Sequence, residues 1–161
     1  MALWGARFSD GPADAVFALS RSAHFDWRLA SYDIRSSLAH LSVLESSKLV
    51  TKDDAAAIRA ALKELASEVA KGSFVAEATD EDVHSALERG LTAKLGPVGG
   101  ALRAGRSRND QVTTDLRLFA IDHMLEVAAL ITELNSAILK KASEYVNDSA
   151  PGFTHIQHAQ P

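Results

Sequence analysis

The sequence predicts an all-α chain. A small N-terminal helical domain, residues 1–108, leads into the first long helix of a central helical bundle, residues 109–161, which is truncated. Three observations carry this reading. Apolar residues return at steps of three and four in every long segment, the spacing of one helix face. Helix-start residues precede several of those segments, and glycine follows two of them. After Gly105 there is no glycine or proline before Pro151, so one helix can run from Asn109 to about Asn147.

The elements follow in order. Asp10-Gly11-Pro12 is a turn signal after an irregular start. Ala13 to Leu19 suits a short helix, and Ser20 to Asp26 is a polar interruption. From Trp27 to about Ser47, Ala30, Ile34, Leu38, Leu41 and Leu44 share a face. Thr51 is placed as an N-cap, with Asp53 and Asp54 at the positive end of the next helix. Ile58, Leu62, Leu65 and Val69 line its buried side, and Gly72 ends it. Thr79 to Asp82 reads as a second capping box, with Thr79 as the cap. Val83, Leu87 and Leu91 mark a helix closed by Gly96-Pro97, and residues 96–108 read as irregular. The long helix carries Val112, Leu116, Phe119, Val127, Ile131, Leu134 and Ile138, more apolar surface than the short helices can cover. It calls for bundle partners, from other chains or from further sequence. The chain stops among functional groups, so the sequence is expected to be a piece of a longer protein.

The totals set bounds on function. The chain has 161 residues, 47% apolar and 24% charged, with a formal charge of −4 and no cysteine. Disulfides, thiolate metal sites and cysteine nucleophiles are excluded. An acidic total argues against a bulk nucleic-acid binder. Residues Met1–Phe8 have no signal-peptide core, and no apolar run approaches the ~18 residues of a membrane span. No membrane association and a cytoplasmic location are expected.

The densest chemistry lies between Arg103 and Asp115, which reads R-A-G-R-S-R-N-D-Q-V-T-T-D. One reading is a capped helix start on a solvated loop, with Ser107 or Asn109 as the cap. Arginines at a helix N-terminus oppose the dipole, however. Arg106 and Arg108 make better sense facing an anion, in a cradle of backbone N–H groups and guanidinium forks. Thr154-His155-Ile156-Gln157-His158 is the second dense segment. Two histidines three apart suggest a metal, but no acidic or cysteine partner is near, so no metal is assigned. A hydroxyl beside an imidazole suits substrate binding and proton movement, and an exposed loop histidine is the plain alternative. Asp80 to Asp82 read first as acidic residues filling a helical turn, with His84 able to reach a site. Ser22 and Asp26 read first as caps.

Together these segments resemble the argininosuccinate lyase family of the fumarase/aspartase superfamily. Trp4-Gly5-Ala6-Arg7-Phe8 is similar to the family's W-G-G-R-F, with Ala6 in place of the second glycine. Ser22 to Asp26 is similar to S-x-x-[YF]-D, and Asp80 to His84 to D-E-D-[IV]-H. Gly105 to Asp115 resembles G-R-S-R-N-D-Q-V-x-T-D, and Thr154 to Pro161 resembles T-H-x-Q-x-A-Q-P. The resemblance covers the chain in order, and the G-R-S-R-N-D-Q form separates this branch from fumarases and aspartases.

The resemblance implies reversible cleavage of argininosuccinate to arginine and fumarate by β-elimination, without metal or organic cofactor. It implies His155 as the catalytic histidine. Ser22, Asn109, Thr154 and Arg108 are implied as substrate contacts, with Asp26 and His84 in support. It also implies a homotetramer whose sites draw on three chains, and a third signature beyond residue 161 that supplies the catalytic serine. The chain alone is therefore expected to be inactive. Two alternatives stay open: another fumarate-releasing lyase of the superfamily, and a non-catalytic structural homologue of the lens-crystallin kind.

Overall fold

The computed structural model describes residues 13–160, so the Trp4–Phe8 and Asp10–Pro12 readings lie outside the described residues. The chain forms two compact units that divide between Ala120 and Ile121. The elements of the first are α1 (Asp14–Ser20), α2 (Ala23–Asp26), α3 (Ala30–Ser46), α4 (Lys52–Ala70), α5 (Val83–Leu95) and α6 (Pro97–Gly100). The helix α7 (Arg108–Glu144) begins in the first unit and continues through the second, where β1 (Gly152–Thr154) and β2 (Gln157–Gln160) follow. The all-α expectation holds: among the described residues the two short strands lie only at 152–160.

Helices α3, α4 and α5 pack against one another to form the core of the first unit. Leu41, Leu44, Ile58, Leu65 and Val83 are buried at its centre. These are the stripe positions the periodicity selects, and each fully buried aliphatic side chain contributes roughly 1.5–3 kcal/mol. Thr51 caps α4 as expected, its hydroxyl accepting from the Asp54 N–H at 3.1 Å. Gly72, at φ 69°, ends that helix.

Four local readings change. The helix expected from Trp27 starts at Ala30, because Ala23–Asp26 and a 3-10 turn at Trp27–Leu29 precede it. Asp82, not Thr79, caps α5: it accepts from the Ser85 N–H at 2.6 Å, and the Ser85 hydroxyl accepts from the Asp82 N–H at 3.0 Å. The acidic run thus stands before the helix rather than inside its first turn. Pro97 begins a short helix instead of only closing α5, since its fixed φ suits the first helical position. A 3-10 turn, Ala101–Arg103, then leads to the loop before α7. Finally, residues 152–160 form an antiparallel hairpin, pairing Thr154 with Gln157 and Phe153 with His158.

Asp80 anchors the segment before α5. Its carboxylate accepts from Arg89 Nη2 and from the Glu77 N–H, both at 2.8 Å, and it is 5% exposed. Burial alone would raise its pKa, but the Arg89 hydrogen bond and charge and the Glu77 N–H hold it below the usual carboxylate value. A depressed carboxylate stabilises the fold above its unfolded pKa and stops doing so as pH falls through the folded one. Asp80→Ala is expected to lower unfolding free energy by about 1–2 kcal/mol at pH 7, because the Glu77 N–H loses its acceptor and Arg89 keeps only Glu77 and the Val75 carbonyl. Urea denaturation should show that loss shrinking below pH 4.

Candidate active site

Two of the motif segments are pinned together by the backbone. The Ser22 N–H donates to the Glu81 carbonyl at 2.8 Å, and the Ala23 N–H donates to the same oxygen at 3.3 Å. The Ser22 hydroxyl donates to Asp26 Oδ2 at 2.6 Å, and Asp26 Oδ1 accepts from the Val83 N–H at 3.1 Å. Asp26 therefore has both oxygens engaged within the protein. It orients Ser22 and caps the start of α5, so its route to a ligand runs through Ser22.

The third segment, at the entrance of α7, sits over a buried polar cluster. Asp33 on α3, His84 on α5 and Asp115 on α7 are all buried. His84 Nδ1 lies 2.5 Å from Asp33 Oδ2 and 3.7 Å from Asp115 Oδ2. Asp33 Oδ2 also accepts from Gln111 Nε2 at 2.8 Å, while its Oδ1 accepts from the Ser37 hydroxyl at 2.8 Å. Arg106 reaches the same place from the loop, donating to Ser37 Oγ at 2.8 Å and Ser36 Oγ at 2.7 Å. Gly105, at φ 64°, supplies the left-handed turn just before it.

The two carboxyls respond oppositely to burial. Burial pushes Asp33 up, but the hydrogen bond and charge of His84, then Ser37 and Arg106, outweigh it and leave its pKa below the usual value. Asp115 is pushed up to about 6, chiefly by burial and further by the nearby Asp33 charge. Ser36, His84 and Arg106 pull it back only in part. Neither Asp115 oxygen receives a hydrogen bond of good geometry. Loss of solvent thus dominates at Asp115, while specific partners dominate at Asp33.

Asp33, His84 and Asp115 each bring one ligand-type atom within 4.8 Å of the others. The closest approach, His84 Nδ1 to Asp33 Oδ2, is a direct hydrogen-bond contact. Two ligand atoms at ~2.0–2.2 Å from one metal would ordinarily stand further apart. Both Asp33 oxygens already accept from side-chain donors. The geometry is that of a hydrogen-bonded cluster.

Above the cluster, Arg108 is presented with donor capacity in reserve. Its Nη1 donates to Gln111 Oε1 at 3.2 Å, and its Nε is 3.6 Å from Asp82 Oδ2, beyond hydrogen-bond range. Its Nε and Nη2 are buried without a hydrogen-bond partner. Ser107 is the N-cap of α7, its hydroxyl accepting from the Asn109 N–H at 3.2 Å, and Asn109 is exposed. A cavity of about 60 Å³ opens here, with Arg103, Arg106, Arg108, Gln111, His84 and Asp33 on its polar side. That volume suits a small polar group or a few waters.

Thr154 and His155 belong to the second unit. Thr154 ends β1, and His155 and Ile156 form the hairpin tip with φ 50° and 63°. Two left-handed residues in a row are the backbone of the tight turn that suits hairpin twist, usually made by Asn or Gly. Thr154 and His155 are exposed there. The expectation of no metal at His155 and His158 rests on ligand chemistry alone.

Ser22, Asp26, His84 and Arg108 are thus joined through direct contacts and shared neighbours, with Asn109 next in line. Asp33, Gln111 and Asp115 complete that arrangement; Gln111 and Asp115 lie in the motif stretch without an assigned role, and Asp33 lies outside every motif. The signal was available: Asp33 and Ser37 occupy buried-stripe positions beside Ala30, Ile34 and Leu41, and Asp115 falls three residues after Val112. Polar residues at apolar stripe positions mark buried hydrogen-bonded clusters.

A family described as lyase matches residues 7–161, and the chain belongs to that family. Within it the similarity is to argininosuccinate lyases, over their N-terminal portion. The argininosuccinate lyase of Frankia casuarinae is 56% identical over the whole of this chain, which covers 35% of that relative. Those of Acidothermus cellulolyticus and Streptomyces coelicolor are each 53% identical over 99% of this chain, covering 32% and 34% of their own lengths. The chain spans about a third of the length of these relatives.

Asp115 gives a measurable pH effect. A raised carboxyl pKa stabilises the fold relative to the unfolded chain below the unfolded pKa of 3.8, and that contribution is lost as pH rises to about 6. A shift of two units corresponds to about 3 kcal/mol. Asp115→Asn cannot ionise, so its stability relative to the parent should improve by up to ~3 kcal/mol between pH 4 and pH 7. Paired denaturant titrations at the two pH values measure that difference.

Proposed function

We propose that a full-length protein carrying this chain cleaves argininosuccinate reversibly to arginine and fumarate. The observation that carries the reading is Arg108, whose buried Nε and Nη2 make no hydrogen bond and which lines a cavity together with two further arginines. A carboxylate oxygen is the natural acceptor for such a fork. The similarity to argininosuccinate lyases supports a substrate rich in carboxylates.

In the proposed reaction a base takes the proton from the carbon beside a substrate carboxylate. The electron pair moves toward that carboxylate as an aci-carboxylate, then forms the new carbon–carbon double bond as the bond to the arginine guanidinium nitrogen breaks. Fixed donors aimed at the carboxylate lower this barrier. Asn109 and Thr154 are assigned that role, with Arg108 binding carboxylate and Ser22 adding a hydroxyl oriented by Asp26. His155 carries proton-transfer or polarising work, and His84 supports from the buried cluster. The abstracting serine belongs to sequence beyond this chain. A domain boundary at 108/109 belongs to the same reading, since it places Asn109 on the bundle helix.

The partners follow the same logic. Among the described residues, no helix is long and apolar enough to cross a membrane. In the second unit Val127, Leu130, Ile131, Leu134 and Ile138 are each more than half exposed on α7. A stripe of that kind is a contact surface. We assign it to the bundle of a homotetramer in the full-length protein, with no nucleic acid among its partners and a cytoplasmic location.

Two measurements test this. In the full-length protein, fumarate release followed by absorbance should fall at least about 100-fold on His155→Ala or Asn109→Ala, the usual scale for losing a proton-transfer group or a charge-stabilising donor. Unchanged turnover would remove both assignments, and a substrate panel including adenylosuccinate and aspartate would expose a different lyase. The 161-residue chain alone should self-associate in sedimentation velocity through its uncovered stripe. A well-behaved monomer would count against the bundle assignment.

A further inference from the structure

We propose that Gln111 is a positioning residue that couples the buried Asp33–His84–Asp115 cluster to the guanidinium of Arg108. The argument begins with its two ends. Gln111 Nε2 donates to Asp33 Oδ2 at 2.8 Å, and Gln111 Oε1 accepts from Arg108 Nη1 at 3.2 Å. A primary amide is the side chain that donates to a carboxylate and accepts from a guanidinium at once. Only one orientation of the amide satisfies both ends, so the network itself fixes it.

The far end of the link is held firmly. Asp33 Oδ2 is shared between Gln111 and His84 Nδ1, and Asp33 Oδ1 accepts from Ser37, which in turn accepts from Arg106. The Asp115 carboxyl closes the cluster 3.7 Å from the same imidazole nitrogen. Three helices and one loop therefore converge on a single carboxylate. Asp33 cannot move without breaking buried hydrogen bonds to charged groups, which are costly to leave unmade. Arg108, by contrast, is a long side chain at the first residue of α7 with one hydrogen bond of its own. Gln111, one turn along the same helix, turns a flexible cation into a fixed one. The charged groups around Asp33 and Asp115 are His84 from α5 and Arg106 from the loop, and Asp82 at the start of α5 faces Arg108 Nε.

This inference rests on the lyase reading for its kinetic consequence, while its structural core is independent of that reading. The test uses the full-length protein and the substitution Gln111→Leu, which keeps bulk and removes both hydrogen bonds. A carboxylate bound by Arg108 is present in substrate and transition state alike, so the loss should fall on KM. kcat/KM should drop about tenfold, the scale of one hydrogen bond to a charged group, with kcat within about twofold of the parent. In an Arg108→Ala background the same substitution should have no further effect, because its action passes through Arg108. A kcat/KM unchanged from the parent, or an equal loss with and without Arg108, overturns the proposal.

A second readout separates this from the identity of the substrate. Side-chain ¹⁵N NMR of the 161-residue chain should show the Arg108 guanidinium signals shifted and more mobile in Gln111→Leu. Unchanged Arg108 signals refute the positioning role even if the parent cleaves argininosuccinate. Altered Arg108 signals with a full-length parent that cleaves nothing support it while removing the lyase reading.

Discussion

The Asp33 carboxylate is the fixed point of the first unit. It is buried on α3 and accepts from a histidine of α5, a glutamine of α7 and a serine on its own helix. A buried carboxylate is tolerable only when its lone pairs are met by donors. That requirement sets the register of its neighbours. α5 must present His84 where it does, α7 must begin close enough for Gln111 to reach, and the preceding loop must turn at Gly105 to bring Arg106 onto Ser36 and Ser37. Apolar packing between α3, α4 and α5 brings the helices together without specifying these registers so narrowly, because leucine and alanine contacts accommodate small slips.

The candidate site is built outward from that point in layers of decreasing constraint. The cluster is buried. Arg108 above it is partly covered, with two nitrogens lacking partners, and Asn109 beyond it is exposed. Ser22 is tied by Asp26 and the Glu81 carbonyl to the start of α5. Charge follows the same order. Arg103 is paired with Glu88 and Arg108 lies near Asp82, yet Arg108 Nε and Nη2 keep hydrogen-bond capacity in reserve. A chain with a net charge of −4 thus gathers Arg103, Arg106 and Arg108 around one recess, with Asp33 and Glu88 beside them.

Much of the fold was legible because helix periodicity and capping are local. Leu41, Leu44, Ile58, Leu65 and Val83 could be read as core from spacing alone, and Thr51 and Gly72 as helix ends. The acidic run at Asp80–Asp82 was harder, since each residue can cap, fill a turn or bind an arginine, and only the position of Arg89 decides. The candidate site was legible where several motif segments resembled one family in order. Asp33 and Asp115 escaped because one polar residue on a stripe looks like an interruption until its partners, far away in sequence, are seen. The hairpin escaped for a different reason: His155 and Ile156 carry no Asn-Gly or Asp-Gly signal, and their left-handed backbone cannot be read from side-chain type.

That hairpin tip couples two neighbouring side chains through the main chain. Ile156 is β-branched and sits at φ 63°, where such residues are rare. The conformation of residue 155 is set together with that of 156, because the tight turn admits few combinations of the two. Substitution at 156 therefore reaches the direction of the His155 imidazole without any contact between the side chains. Replacing Ile156 with glycine would relax the backbone and loosen the aim of the histidine together.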